Sequence, residues 1–168
     1  MNLPNPPAPV MQRAAPTYAF LGVQMRVLLS SKQTGGQFSM IEGIMPPGGD
    51  GGLHIHLRED ESMVILEGEL EVTIGDEVMT LQAGSSYFAP RGVPQRLRNR
   101  GTTPMRGIVI TTPGGFDEFI AEAGVPIDGT ATTLDALASA PAPSAQEMVA
   151  LLRLAEAFGI AILVPPGA

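Results

Sequence analysis

Through the middle of the chain, apolar and polar residues alternate in short runs, and turn residues separate the runs. The stretch TYAFLGVQMRVLL (17–29) is apolar and β-rich and predicts one or two strands. QFSMIEGIM (37–45) alternates as a strand, with Phe38, Met40 and Ile44 apolar and a break at Glu42-Gly43. LHIHL (53–57) is extended. SMVILEGELEVTIGDEVMTLQAG (62–84) reads as three strands parted by Glu67-Gly68 and Gly75-Asp76. SSYFAP, QRLRN and MRGIVIT complete the series. In QRLRN, Gln95, Leu97 and Asn99 share one face and Arg96 and Arg98 the other. Turn signals at this density predict an all-β sandwich or barrel.

Toward the C-terminus the period changes. GGFDEFIAEAG predicts a short helix, and TATTLDALASAPAP a low-complexity connector. SAQEMVALLRLAEAFG predicts an amphipathic helix. Ser144 and Glu147 have capping-box spacing, Met148, Leu151, Leu152 and Ala155 form one stripe, and Gly159 is a stop. The stripe suits either a partner or one end of the barrel, and the second use is the commoner one. IAILV then predicts a final strand. The expected organisation is a flexible arm over residues 1–16, a β-barrel over 17–112, and a C-terminal helical extension over 113–168 packed on the barrel.

The chain has 168 residues, enough for one domain with a real core. With Cys 0, a disulfide framework, a thiolate metal site and a cysteine nucleophile are all excluded. The formal charge of -7 gives no bulk attraction for nucleic acid or anionic lipid. No apolar run approaches the roughly 18 residues of a spanning helix, and the proline-rich start lacks a signal peptide's apolar block. The expectation is a soluble cytoplasmic protein with neither nucleic-acid nor membrane partners.

The chemistry concentrates in PPGGDGGLHIHLREDESMVILEGE (46–69), which holds both histidines of the chain, His54 and His56. Side chains at i and i+2 of a strand share a face, about 6.6 Å apart. Glu61 follows five residues after His56. In one unbroken strand it would face away, but REDE (58–61) is a poor strand and a good turn. If the chain reverses there, Glu61 returns to the histidine face. Two imidazoles and a carboxylate suit Fe(II), Mn(II), Co(II), Ni(II) or Zn(II). An HxH pair by itself is more often a solvated surface feature, so the surrounding glycines and a second segment matter.

Gly48, His54, His56, Glu61 and Gly68 stand in the pattern G-x5-H-x-H-x4-E-x6-G. Gly84, Pro90, Gly92 and Asn99 stand in G-x5-P-x-G-x2-H-x3-N, with Gln95 where the pattern has histidine. In these two motifs the chain resembles the cupins, and more loosely the small cupins likened to quercetin dioxygenase. The resemblance implies an antiparallel jelly-roll barrel with a divalent transition metal inside, often in a homodimer. It implies His54, His56 and Glu61 as metal ligands and Gln95 at the fourth ligand position. The motif glycines, Pro90 and Asn99 read as structural.

Gln95 leaves three cases open. Its amide oxygen ligates the ion, or it stands back and holds a water or substrate there, or the site has become a metal-free pocket. Met63 and Ile65 share Glu61's face by alternation, so the cavity wall should be apolar and suit an aromatic or otherwise apolar substrate. Tyr87 or Phe88 lines the cavity or packs the core. Ser85 and Ser86 lack a free histidine base, and GGDGG lacks the P-loop lysine. Leu53 and Ile55 point outward and, with open strand edges, predict a homodimer. The function expected is a metal-dependent dioxygenase with Glu61 as ligand and base. The alternatives are an isomerase or epimerase, or a small-molecule-binding protein without turnover.

Overall fold

The computed structural model describes residues 8–11, 14–128, 137 and 143–166. The predicted arm and the connector fall mostly outside these residues. Ten strands precede the first helix: β1 (Thr17–Phe20), β2 (Val23–Leu29), β3 (Ser39–Met45), β4 (Leu53–His56), β5 (Asp60–Glu67), β6 (Glu69–Ile74), β7 (Glu77–Gln82), β8 (Ser86–Ala89), β9 (Gln95–Arg98) and β10 (Met105–Thr112). Helix α1 (Phe116–Ala123), β11 (Val125–Ile127), helix α2 (Ala145–Ala157) and β12 (Ile160–Val164) follow.

All pairings between these strands are antiparallel and form two sheets, ordered β11-β1-β2-β3-β10-β5-β8 and β12-β4-β9-β6-β7. They pack as an antiparallel jelly roll that stays open at its edges. Strict alternation along β5 and β10 sends Met63, Ile65, Met105 and Val109 inward, where they meet Leu70 and Val72 of the opposite sheet. The Glu67-Gly68 boundary is a tight corner. Gly68 has φ 73, and a Cβ there would lie 2.7 Å from the Pro104 carbonyl oxygen, so no side chain fits.

Glu42-Gly43 does not break its strand. Gly43 pairs with Met25 and Gly107 on either side, and the sheet carries it. β11 had no sequence signal, because three residues around a proline are too few to show a period. A second core lies where α1 and α2 meet β2, β3 and β12, with Phe119, Ile120, Ile41, Ala155 and Ile160 buried. The Ser144–Glu147 capping box forms, and Gly159 is left-handed after the helix, at φ 77. α2 turns Leu151, Leu154, Ala155 and Phe158 inward, so its stripe lies against this core. Leu152 departs from the expected stripe and is exposed, because the packed face rotates toward Leu154.

Candidate metal centre

The acidic run after the histidines decides the site. β4 ends at His56, the chain reverses over Leu57–Glu59, and β5 starts at Asp60. Glu61 therefore faces inward with Met63 and Ile65. The ligand atoms of His54, His56 and Glu61 lie within 4.8 Å of one another. Gln95 opens β9 directly beside His54, and its Nε2 is 3.4 Å from His54 Nε2. The structure thus brings together all four residues singled out from the sequence. His56, Glu61 and Gln95 are buried, while His54 keeps some exposure.

Each ring is held from behind. His54 Nδ1 is 3.0 Å from the Gly52 carbonyl oxygen, to which its N–H donates, leaving Nε2 toward the cluster. Gly52, at φ 73, donates its N–H to Asp50 Oδ1, which fixes the turn before β4. His56 Nδ1 donates to Glu59 Oε2 at 3.0 Å, which turns Nε2 inward as well. Phe116 of α1 packs edge-on against the His56 ring at 5.1 Å between centroids. Glu61 Oε1 accepts the Tyr87 hydroxyl at 2.5 Å. Of the two aromatic candidates, Tyr87 is thus the inward one, and Phe88 is 59 % exposed.

Sequence reasoning did not find Glu59 or Asp50. Glu59 lay in a run that looked like solvated turn, yet it is buried and bonded to a histidine. Its signal was the i+3 spacing from His56 across a reversal. Asp50 pairs with Arg96, whose outward side chain is thereby accounted for, and Arg98 pairs with Glu71. Asn99 is structural, as expected: its amide N–H groups donate to the Met45 and Thr103 carbonyls, and its Oδ1 accepts from Gly101 N–H.

Burial lowers the His54 pKa, and the neighbouring His56 lowers it further, so the ring is neutral. Burial would also lower His56, but Glu59 and then Glu61 outweigh it and raise the pKa to about 9. Burial would raise Glu61, yet His56 above all brings it down to about 2. Two buried carboxylates therefore call for positive charge at this point, and the His56 proton supplies it by default. A divalent cation would meet the same demand.

Two atoms test that fit. His56 Nε2 and Gln95 Oε1 are buried without a hydrogen-bond partner. His56 Nε2 lies 3.3 Å from Glu61 Oε2 but is not aligned to bond it. Buried polar atoms are rarely left so. A half-turn of the Gln95 amide exchanges its nitrogen and oxygen, so the residue can present a carbonyl oxygen beside His54 Nε2. Two imidazole nitrogens, a carboxylate and an amide oxygen fit a divalent transition ion.

Residues 42–111 match the Cupin_2 family, described as a cupin domain. The chain belongs to the cupin superfamily. Over 167 residues, 97% of this cupin and 46% of the relative, it is 28% identical to quercetin 2,3-dioxygenase of Bacillus subtilis. Over 88 residues, 51% of this chain, it is 34% identical to the xanthan biosynthesis protein XanB of Xanthomonas campestris pv. campestris, of which it spans only 19%. The crystal structure of a predicted oxalate decarboxylase from Thermotoga maritima superposes with a TM-score of 0.55 at 25% identity, covering 60% of this cupin and 94% of that chain. The cupin's His54–His56–Glu61 cluster could hold a transition metal, as the superfamily typically does.

Proposed function

We propose that this cupin is a metal-dependent enzyme of the dioxygenase type, acting on a small apolar, aromatic or enolic substrate. The observation that carries this reading is a pair of buried atoms without a hydrogen-bond partner, His56 Nε2 and Gln95 Oε1, beside the Glu61 carboxylate. Similarity along nearly the whole chain to a quercetin 2,3-dioxygenase supports it.

His54, His56 and Glu61 would hold the ion, with Gln95 at a fourth position. Such an ion supplies Lewis acidity and, if redox-active, electron transfer with dioxygen. The chain's own residues do the rest. The Gly52 carbonyl and Glu59 fix both rings with Nε2 inward. Burial, and then Glu61, push the Tyr87 pKa well above its usual value, so the phenol stays protonated and keeps donating to Glu61 Oε1. Glu61 Oε2, free of Tyr87, would hold the ion or, released from it, accept the proton of an enolic or phenolic hydroxyl. Met63, Ile65 and Val109 line the interior alongside and exclude water.

The test is elemental analysis of protein purified without chelators, followed by oxygen-electrode assays on flavonol and other enolic substrates. About one divalent ion per chain and substrate-dependent oxygen uptake are expected. His54→Ala and His56→Ala should both lose the ion. Parent protein that carries no metal, and whose Tm ignores added Ni(II), Zn(II), Co(II) or Mn(II), would sink the metal reading.

Similarity over half the chain to a protein of xanthan biosynthesis raises a sugar-related ligand; the second reading is an isomerase or epimerase, or a non-enzymatic binding protein. An isomerase turns over without oxygen, and a binding protein gains stability with ligand but shows no turnover. Against a sugar substrate stand the apolar interior and the absence of any tryptophan platform, Trp being 0.

We also propose a homodimer. The β4 edge is covered by β12, so the expected contact through Leu53 and Ile55 is displaced. Among the exposed apolar residues, Val64 and Leu66 on the outer face of β5 offer a contact instead. Light scattering at micromolar concentration should give twice the chain mass, and a monomer mass would refute it.

A further inference from the structure

Glu61, His56 and Gln95 are buried, so a substrate needs a way in. β7 and β8 are each the last strand of their sheet, and residues of both face one gap. A cleft of about 550 Å³ lies there, lined by Ile74, Asp76, Glu77, Met79, Tyr87 and Phe88, with Ser86 at its lip. Two of these residues also touch the proposed metal centre. The Tyr87 hydroxyl donates to Glu61 Oε1, and Ile74 is the cross-strand partner of Gln95.

Register makes the connection continuous. His54 pairs with Gln95, Gln95 with Ile74, and Ile74 with Glu77. One cross-strand row thus runs from a histidine to the lip of the cleft in three strand spacings, roughly 14 Å. Gln95 and Ile74 lie along that row, and Tyr87 reaches the cluster from β8. The cleft's charges are both negative, Asp76 and Glu77, and both are exposed. Its other walls are aliphatic, thioether and aromatic.

We propose that the cleft between β7 and β8 is the way in to the His54–His56–Glu61 cluster for uncharged apolar small molecules, with Tyr87 as its movable inner wall and Asp76 and Glu77 turning anions away. This rests on the metal-dependent reading above and narrows its substrate class. Small dianions such as oxalate meet two carboxylates at the lip and Glu61 inside. A neutral, flat molecule meets Phe88, Met79 and Ile74 and displaces one hydrogen bond, that from Tyr87 to Glu61.

The chain has Tyr 2 and Trp 0, so in a Tyr18→Phe variant all tyrosine emission comes from Tyr87. Three collisional quenchers then probe the cleft: neutral acrylamide, Cs⁺ and iodide. Acrylamide and Cs⁺ should quench Tyr87 at least about threefold more strongly than iodide at equal ionic strength. Adding Asp76→Asn and Glu77→Gln should remove that difference. Iodide quenching equal to that of Cs⁺ in the parent background would overturn the anion screen.

The path itself is tested by plugging it. Met79→Trp, or the exposed Ser86→Trp if the first fails to fold, should slow Ni(II) uptake and release by the apo protein about tenfold and leave Kd unchanged. Unchanged rates in a folded plugged variant would overturn the path and point to an approach past the partly exposed His54. Parent protein that takes up no Ni(II) at all would refute the metal reading instead, and quenching would still judge the cleft.

Discussion

His56 Nδ1 lies 3.0 Å from Glu59 Oε2, with both side chains buried. A carboxylate behind a histidine fixes the ring's tautomer and orientation and raises its basicity as a ligand. Glu59→Gln keeps an acceptor for the Nδ1 proton but removes the charge, whereas Glu59→Ala removes both. Ni(II) affinity is expected to fall about 10-fold in the first and toward 100-fold in the second. Calorimetric titration of the two variants beside the parent decides this, and equal affinities would show that Glu59 only fills space.

Gln95 is the one departure from the cupin motifs and sits beside His54. A neutral amide is a weaker donor than an imidazole. Gln95→His is expected to raise metal affinity, and Gln95→Ala to lower it by about 10-fold or less. Identical titrations for all three proteins would remove Gln95 from the centre.

Asp50 gives the pH dependence. Burial would raise its pKa, but Arg96, followed by the Gly52 N–H, brings it below the usual carboxylate value. A carboxylate with a lowered folded pKa stabilises above its unfolded pKa of about 3.9, and that stability is lost as pH falls through the folded value. Asp50→Asn should therefore cost about 1 kcal/mol at pH 6. The gap from the parent should close below about pH 4. Urea melts at several pH values measure it, and a gap that widens on acidification would contradict the sign.

Phe119 joins the second core. It is 2 % exposed and meets Phe20, Phe116 and Phe158 at ring-centroid distances of 5.4, 6.0 and 5.7 Å. Phe119→Ala is expected to destabilise the fold by about 3–5 kcal/mol. Because Phe116 touches the His56 ring, the same substitution should also weaken metal binding. Chemical denaturation with and without Ni(II) separates the two effects.

Most strands of the jelly roll were legible in the sequence, because alternation over four to eight residues with glycine corners has few other solutions; β11 was not. The sequence also determined the pairing of His54 with His56, since residues two apart on a strand share a face whatever surrounds them. The return of Glu61 was legible because REDE favours a turn, although the reversal takes only Leu57–Glu59 and β5 already begins at Asp60. Motif spacing placed Gln95 beside His54, a contact across two strands 41 positions apart. Tertiary structure alone decided the rest. Glu59 is hidden in a run that reads as solvated acids, and only the reversal between β4 and β5, with α1 closing over it, takes that carboxylate out of water and onto His56. Tyr87 acquires its role from the pairing of β5 with β8, which no local period encodes. The orientation of α2 turned on which neighbours were there to cover it: a helical stripe fixes a face only to within about one residue, and the core chose Leu154 over Leu152.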